Sequence, residues 1–314
     1  MDREELIGEI NRLRKEKNAV IMAHYYQIPE IQDIADFVGD SLELARQAKK
    51  TDASVIVLCG VHFMGETAKI ICLDKKVLIP DMNSGCSLAD SCKAEDLRAW
   101  KEKHPEHLIL SYVNTSAAVK ALTDIVVTSS NALKIVEQLP EGQKILFGPD
   151  RNLGNYINSV TGRNMDLWNG YCHVHEKFSL QKLIELKNKY PEAKVLVHPE
   201  CKGPVVEMAD VVGSTKHLLN YAIESDDNVF LVATESGILH EMQKACKNKT
   251  FIPVPPEVTE GDKTCACNEC NYMRMNTLEK LYVCLRDETN EIKVDSEIAA
   301  KAIIPIERMF EMSK

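Results

Sequence analysis

The sequence has 314 residues, of which 45% are hydrophobic and 27% charged, and its formal net charge is −9. This length allows two or three domains that each bury a core of their own. The negative charge argues against a nucleic-acid-binding surface, and no apolar stretch approaches the roughly eighteen residues of a membrane-spanning helix.

The chain begins with a charged segment, residues 1–20, in which Leu6, Ile10 and Leu13 recur at helical spacing. This pattern predicts an amphipathic helix and not a secretion signal. Eleven cysteines occur in the chain. Because no secretion signal precedes them, we expect a reducing, cytoplasmic location in which thiols bind metal, act in catalysis or lie buried.

Short apolar runs then alternate with helical patterns along the chain. Continuous runs of Val, Ile and Leu separated by amphipathic helices predict buried parallel strands and therefore an α/β fold. In chain order the runs are NAVIMAHYY, SVIVLCG, KVLIPD, HLILSYVN, DIVVTSS, KILFGPD, KVLVHPE, DVVGST, NVFLVAT and TFIPVP.

One pattern recurs three times. IADFVGDS, LTDIVVTS and MADVVGST align through Asp36, Asp124 and Asp210, which are 88 and 86 residues apart. Such self-similarity predicts three copies of one unit around a pseudo-threefold axis, with a central site. We expect the repeats to span residues 1–86, 87–172 and 173–270, with the C-terminal segment 271–314 packing on the first.

The same register aligns three rows of polar residues. His24, Tyr112 and His198 end predicted strands; Tyr26, Asn114 and Glu200 follow two residues later; Ser41, Ser129 and Thr215 precede predicted helices. Ligand sites of parallel sheets form at the carboxyl ends of strands, so these rows are candidates for one central site. Converging helix N-termini would suit a substrate that carries carboxylates or a phosphate. The alternative is that the hydroxyls are only helix caps and the histidines structural.

The cysteines follow this register as well. Cys86 and Cys172 are one repeat length apart, and a further repeat leads to the segment CACNEC at residues 265–270. Three thiolates suit a 4Fe–4S cluster with one open iron. Zinc with His173 or His175 as a further ligand is the alternative. Of the other cysteines, Cys201 and Cys92 are unassigned, and the remaining four are expected in the core, namely Cys59, Cys72, Cys246 and Cys284.

A set of short motifs, in order and across nearly the whole chain, resembles the quinolinate synthase family. The motifs are HYYQ, GCSLAD, YVNTSA, VTSSNA, GYCHVH, VHPEC, VGST and CNYMRMNTLEKL. The resemblance implies three similar αβα domains and a 4Fe–4S cluster held by three cysteines. It implies condensation of iminosuccinate with dihydroxyacetone phosphate to quinolinate, phosphate and water, for NAD synthesis. The partners it implies are these two substrates and, transiently, the enzyme that supplies iminosuccinate.

Residue by residue, the resemblance makes Cys86, Cys172 and one thiol of CACNEC the cluster ligands. We choose Cys270, because NYMRMN follows it directly and a predicted helix begins soon after. Tyr26, His198 and Glu200 match catalytic positions. The matched substrate-contacting positions are His24, Ser41, Tyr112, Val113, Asn114, Ser129, His198, Pro199, Glu200 and Thr215.

The spacing C-x-C-x-x-C in this chain departs from the regular C-x-x-C-x-x-C of some family members, so no redox role is assigned to Cys265 and Cys267. Three other functions compete with the synthase: a different hydro-lyase with an open iron, an iron–sulfur sensor or electron carrier, and a zinc-stabilised binding protein.

Overall fold

A computed structural model describes residues 1–257 and 268–314 of the chain. Its strands form three four-stranded parallel sheets. In each sheet the order is second, first, third and fourth strand of the unit. The expected α/β fold of three similar αβα units is confirmed. Within the described ranges, none of the helices has the length and apolarity that a bilayer crossing would need.

The units share one sequence of elements. The first has β1 (Ala19–His24), β2 (Phe37–Gly39), β3 (Val55–Cys59) and β4 (Lys76–Leu78), with α1 (Arg3–Glu16), α2 (Pro29–Ile34), α3 (Ser41–Lys50) and α4 (His62–Ile71). The second has β5 (Leu108–Tyr112), β6 (Ile125–Val127), β7 (Ile145–Gly148) and β8 (Asp166–Leu167), with α5 (Ser87–Asp90), α6 (Ala94–Lys103), α7 (Ala117–Lys120), α8 (Ala132–Glu137) and α9 (Arg151–Thr161).

The third unit has β9 (Lys194–Val197), β10 (Val211–Val212), β11 (Val229–Ala233) and β12 (Thr250–Pro253). Its helices are a 3₁₀ turn (His175–Lys177), α10 (Leu180–Lys189), α11 (Gly203–Val206), α12 (Thr215–Glu224) and α13 (Ile238–Ala245). The C-terminal segment has a second 3₁₀ turn (Met273–Met275), α14 (Leu278–Asp287) and α15 (Ser296–Met312).

The repeated aspartates have one structural role in all three units. Asp36 accepts a hydrogen bond from the backbone N–H of Ile21 at 2.8 Å, fifteen residues earlier in the chain. Asp124 accepts from Ile109, and Asp210 accepts from Val195, at the same distance and chain separation. Each aspartate therefore ties the start of the second strand of its unit to the first strand, and this repeated bond explains the alignment in the sequence.

The C-terminal segment contacts more than one unit. Leu281 and Leu285 of α14 are buried in one apolar cluster with Leu6 and Ile10 of α1. By contrast, α15 packs against β6 and α7 of the second unit as well as α4 of the first. The repeat boundaries at residues 86, 172 and 270 stay predictions.

Candidate active site

A cavity of about 720 Å³, open solvent at its mouth included, lies where the three units meet. Its wall includes twelve of the residues that the sequence predicts for the site: His24, Tyr26, Ser41, Cys86, Tyr112, Asn114, Ser129, Cys172, His198, Glu200, Thr215 and Cys270. The other two predicted residues, Val113 and Pro199, are not in this wall within the described part of the chain. Val113 is instead buried in the core beside the cavity, where it packs among apolar side chains.

The ends of the first strands bring these residues together. Strand β1 ends at His24, β5 ends at Tyr112, and His198 directly follows β9. All strands within each sheet are parallel, so the carboxyl ends of the first strands can face one cavity. The three polar rows aligned in the sequence therefore meet in space.

A chain of hydrogen bonds begins at Tyr26. Its phenol oxygen lies 2.9 Å from Thr215 Oγ1 and 2.8 Å from Thr234 Oγ1. Thr234 Oγ1 lies 2.9 Å from Nε2 of His175. Nδ1 of His175 lies 3.2 Å from Oε2 of Glu200, and Tyr112 donates to Oε1 of Glu200 at 2.5 Å. Tyr26 and Glu200 are thus joined through one threonine and one histidine.

The imidazoles of His24 and His198 are neutral hydrogen-bond donors. Burial lowers the pKa of His24 to about 4 and that of His198 to about 3, against the opposing effect of Glu200. Nδ1 of His24 accepts from the backbone N–H of Tyr26, and Nδ1 of His198 accepts from that of Glu200. In a neutral ring whose Nδ1 accepts, Nε2 carries the hydrogen. Each ring therefore offers one N–H to a bound molecule.

Glu200 and Tyr26 have opposite protonation states. Burial alone would raise the pKa of Glu200, but His175 and the hydrogen bond from Tyr112 lower it below its usual value. Burial and the negative charge of Glu200 raise the pKa of Tyr26 well above its usual value. The site thus combines a buried carboxylate, which can accept a proton, with a phenol that keeps its own.

Ser41, Ser129 and Thr215 are not the N-cap residues of the neighbouring helices. Asp40 caps α3 and Ser214 caps α12, so the side chains of Ser41 and Thr215, the first residues of those helices, are not the caps. Ser129 lies two residues before Asn131, which precedes α8. These positions argue against the view that the three hydroxyls are only helix caps.

The three thiols lie at equivalent turns. The carbonyl of Cys86 accepts from the N–H of Asp90, that of Cys172 from Glu176, and that of Cys270 from Arg274, in each case four residues later. Each cysteine is thus followed by a turn of helix. Cys265 and Cys267 lie outside the described residues.

The turns direct backbone N–H groups towards the sulfurs. Burial raises the pKa of the Cys86 thiol to about 12 and that of Cys270 to about 11, and it raises that of Cys172 well above its usual value. Backbone N–H groups two or three residues later oppose this shift in all three cases, because they favour the thiolate. Buried thiols with such N–H groups suit a bound cation.

Comparison with known proteins shows which family this chain belongs to. Over residues 8–311 the chain matches the family model described as quinolinate synthetase A protein. It is 56% identical over 310 residues to the quinolinate synthase of Microcystis aeruginosa, a match that covers 99% of this chain and 96% of that protein. The quinolinate synthase of Chloroherpeton thalassium is also 56% identical over 310 residues, with 99% and 95% covered. The chain belongs to the quinolinate synthase family.

The family resemblance inferred from the motifs is confirmed, and so is the expectation that the protein is an enzyme. The thiols fit the 4Fe–4S cluster that the motifs of a quinolinate synthase imply, since three cysteines face one cavity and three ligands leave one iron open. A zinc site would use a different set of ligands. Ligand atoms of Cys172, His175 and Glu200 lie within 4.8 Å of one another.

Thr234, Glu235 and Asp150 are among the polar residues near this cavity that the sequence did not predict. Thr234 joins Tyr26 to His175, Glu235 lies in the cavity wall, and Asp150 accepts from the backbone N–H of Cys172. All three follow the third strand of a unit, β7 or β11. The apolar runs KILFGPD and NVFLVAT contain the signal, but the three aligned polar rows follow the first and second strands of each unit and not the third.

Proposed function

We propose that this chain condenses iminosuccinate with dihydroxyacetone phosphate to give quinolinate, phosphate and water, in the synthesis of NAD. The cofactor proposed is a 4Fe–4S cluster on Cys86, Cys172 and Cys270. One observation carries the proposal: the three thiols, one from each equivalent turn, line the same cavity as the three strand-end polar rows. A cytoplasmic location and transient contact with the enzyme that supplies iminosuccinate fit this role and stay predictions.

The polar rows suit the charges of the two substrates. Ser41 and Thr215 begin helices of ten residues each, α3 and α12, so their hydroxyls lie beside backbone N–H groups at the positive ends of those helices. The Nε2–H groups of His24 and His198 add two neutral donors. We assign substrate carboxylates and phosphate to these groups, together with Asn114, Ser129 and Tyr112. Val113 and Pro199 stay predicted substrate contacts.

Proton transfer falls to Glu200 and Tyr26. Glu200 accepts protons as carbon–carbon bond formation and ring closure proceed, because its carboxylate stays ionised. Tyr26 donates to leaving oxygen, and the bonds through Thr234 and His175 link it to Glu200. Cys86, Cys172 and Cys270 would hold the cluster, and its open iron would supply a Lewis acid for the loss of water.

The first experiment is anaerobic reconstitution of the chain with iron and sulfide, followed by assay of quinolinate from the two substrates. We expect about four irons per chain, as a 4Fe–4S cluster requires, and quinolinate formation that depends on them. Zinc in place of iron would favour the group of Cys172, His175 and Glu200. Iron without quinolinate would favour another hydro-lyase or a sensor.

The ligand assignment has its own test. Cys86→Ser, Cys172→Ser and Cys270→Ser should each abolish the visible absorption of the cluster, whereas Cys265→Ser and Cys267→Ser should retain it. Cys246→Ser is the matched control, because Cys246 is buried at the end of α13, away from the cavity wall. A colourless Cys267→Ser with a coloured Cys270→Ser would move the third ligand to Cys267.

A further inference from the structure

Two buried carboxylates hold the backbone of two of the cysteines. Asp150 and Glu235 are both fully buried. Oδ2 of Asp150 accepts from the backbone N–H of Cys172 at 3.2 Å, and Oε1 of Glu235 accepts from that of Cys270 at 3.0 Å. Neither carboxylate has a part in the chemistry proposed above.

The second oxygen of each carboxylate is bound to the turn that carries it. Oδ1 of Asp150 accepts from the N–H of Leu153 at 2.8 Å, and Oε2 of Glu235 accepts from that of Gly237 at 2.7 Å. Both turns follow the third strand of their unit. Each carboxylate therefore bridges a strand end to a cysteine that arrives from a different part of the chain.

A buried carboxyl group needs polar partners, since an unpaired polar group in the interior is unfavourable. Asp150 caps α9, a helix of eleven residues, so backbone N–H groups of its first turn are among its partners. Arg274 lies 3.5 Å from Oε1 of Glu235. Both carboxyl groups thus have polar partners besides the cysteine N–H.

The first unit uses a neutral group instead. Ser84, two residues before Cys86, donates its hydroxyl to the carbonyls of Gly60 and Tyr272, each at 2.8 Å. Gly60 follows β3, the third strand of its unit. The three cysteine turns are therefore all tied to a third strand. Among the described residues, a carboxyl group ties the turns of Cys172 and Cys270, and a hydroxyl ties that of Cys86.

We propose that Asp150 and Glu235 are positioning residues for the iron–sulfur ligands. They hold the Cys172 and Cys270 turns in place through these hydrogen bonds. Outer partners of metal ligands commonly change metal affinity about 10- to 100-fold. The inference rests on the proposed cluster, because it assumes that these cysteines are ligands.

The test uses the reconstituted full chain with Asp150→Asn and Glu235→Gln, which keep nearly the same shape but accept at one oxygen only, so one of the two backbone N–H groups loses its partner. Asparagine also caps helices well, so α9 should persist. We expect iron loss to a chelator under anaerobic conditions to be about 10- to 100-fold faster. Glu235→Asp, which is one methylene shorter, should also lose iron faster.

Two controls separate positioning from a general loss of stability. Glu66 accepts from the backbone N–H of Ala117, and Asp295 caps α15. Neither has a hydrogen bond to a cysteine among the residues that the structure describes. Glu66→Gln and Asp295→Asn should leave the rate of iron loss unchanged. The inference would be overturned if the variants at Asp150 and Glu235 lost iron as slowly as the wild type. It would also be overturned if the two controls lost iron as fast as those variants. A wild-type chain that holds no cluster would overturn this inference and the proposed cofactor together.

Discussion

Tyr26 and Glu200 are the two side chains on which the proposed proton transfers depend. We expect Tyr26→Phe and Glu200→Gln to lower quinolinate formation about a hundred- to ten-thousand-fold, the usual contribution of a general acid or base. Iron content and visible absorption should stay normal. Tyr25→Phe is the matched control, because Tyr25 is buried beside Tyr26 but donates to Glu43 away from the cavity wall. Near-normal turnover in either variant would remove that residue from the mechanism.

The neutral histidines predict how stability depends on pH. Burial lowers the pKa of His24 to about 4 and that of His198 to about 3, whereas both are close to 6.5 in the unfolded chain. Below about pH 6.5 the unfolded chain binds protons that the folded chain does not, so stability falls as the pH falls towards 4. Each histidine contributes up to about 1.4 kcal/mol per pH unit in this range.

Urea unfolding at pH 6 and pH 5 measures this effect. The wild type should lose about 2 to 3 kcal/mol more over this interval than a variant with both His24→Gln and His198→Gln. Glu200 does not add to this difference between pH 6 and pH 5. Its pKa is lowered in the folded protein, so its contribution to stability is lost only below about pH 4.5. Equal pH dependence in the two proteins would mean that the histidines are charged in the fold.

At the scale of the element, the hydrogen bond of the repeated aspartate should contribute about equally to the free energy of unfolding in each unit. Asp36→Ala, Asp124→Ala and Asp210→Ala each leave one strand N–H without its acceptor. We expect each to reduce the free energy of unfolding by about 1 to 3 kcal/mol. The matching Asp→Asn variants should cost less, since the amide oxygen still accepts. A cost confined to one unit would show that the alignment does not reflect a shared structural role.

At the scale of the whole molecule, α15 ties the first two units together. Ile306 on this helix is fully buried, whereas Ile304 is 49% exposed. Ile306→Ala should reduce the free energy of unfolding by about 2 to 5 kcal/mol. Ile304→Ala, the same change on the outer side of the helix, should have little effect.

Amide hydrogen exchange tests whether this stabilisation reaches both units. Ile306→Ala should speed exchange in α4 of the first unit and in β6 of the second, because α15 packs against both. Faster exchange in only one of them would show that α15 belongs to that unit alone.

The sequence alone determined the repeat and most of the residues in the cavity wall. Asp36, Asp124 and Asp210 revealed the register because one local bond, across fifteen residues, recurs in each unit. Polar residues at strand ends were then predictable, since parallel strands within a sheet end at the same edge. Cys86 and Cys172 followed from the same spacing, while the choice of Cys270 depended on the family motif that follows it.

Only the tertiary structure decided which residues from different units touch. Tyr26 meets Thr234 across 208 positions of the chain, and Tyr112 meets Glu200 across 88. The position of α15 across two units is of the same kind. Periodic patterns record which side of a helix or strand is buried and where it ends. They do not record how three separate sheets pack, and that packing brings the phenol, the carboxylates and the thiols into one site.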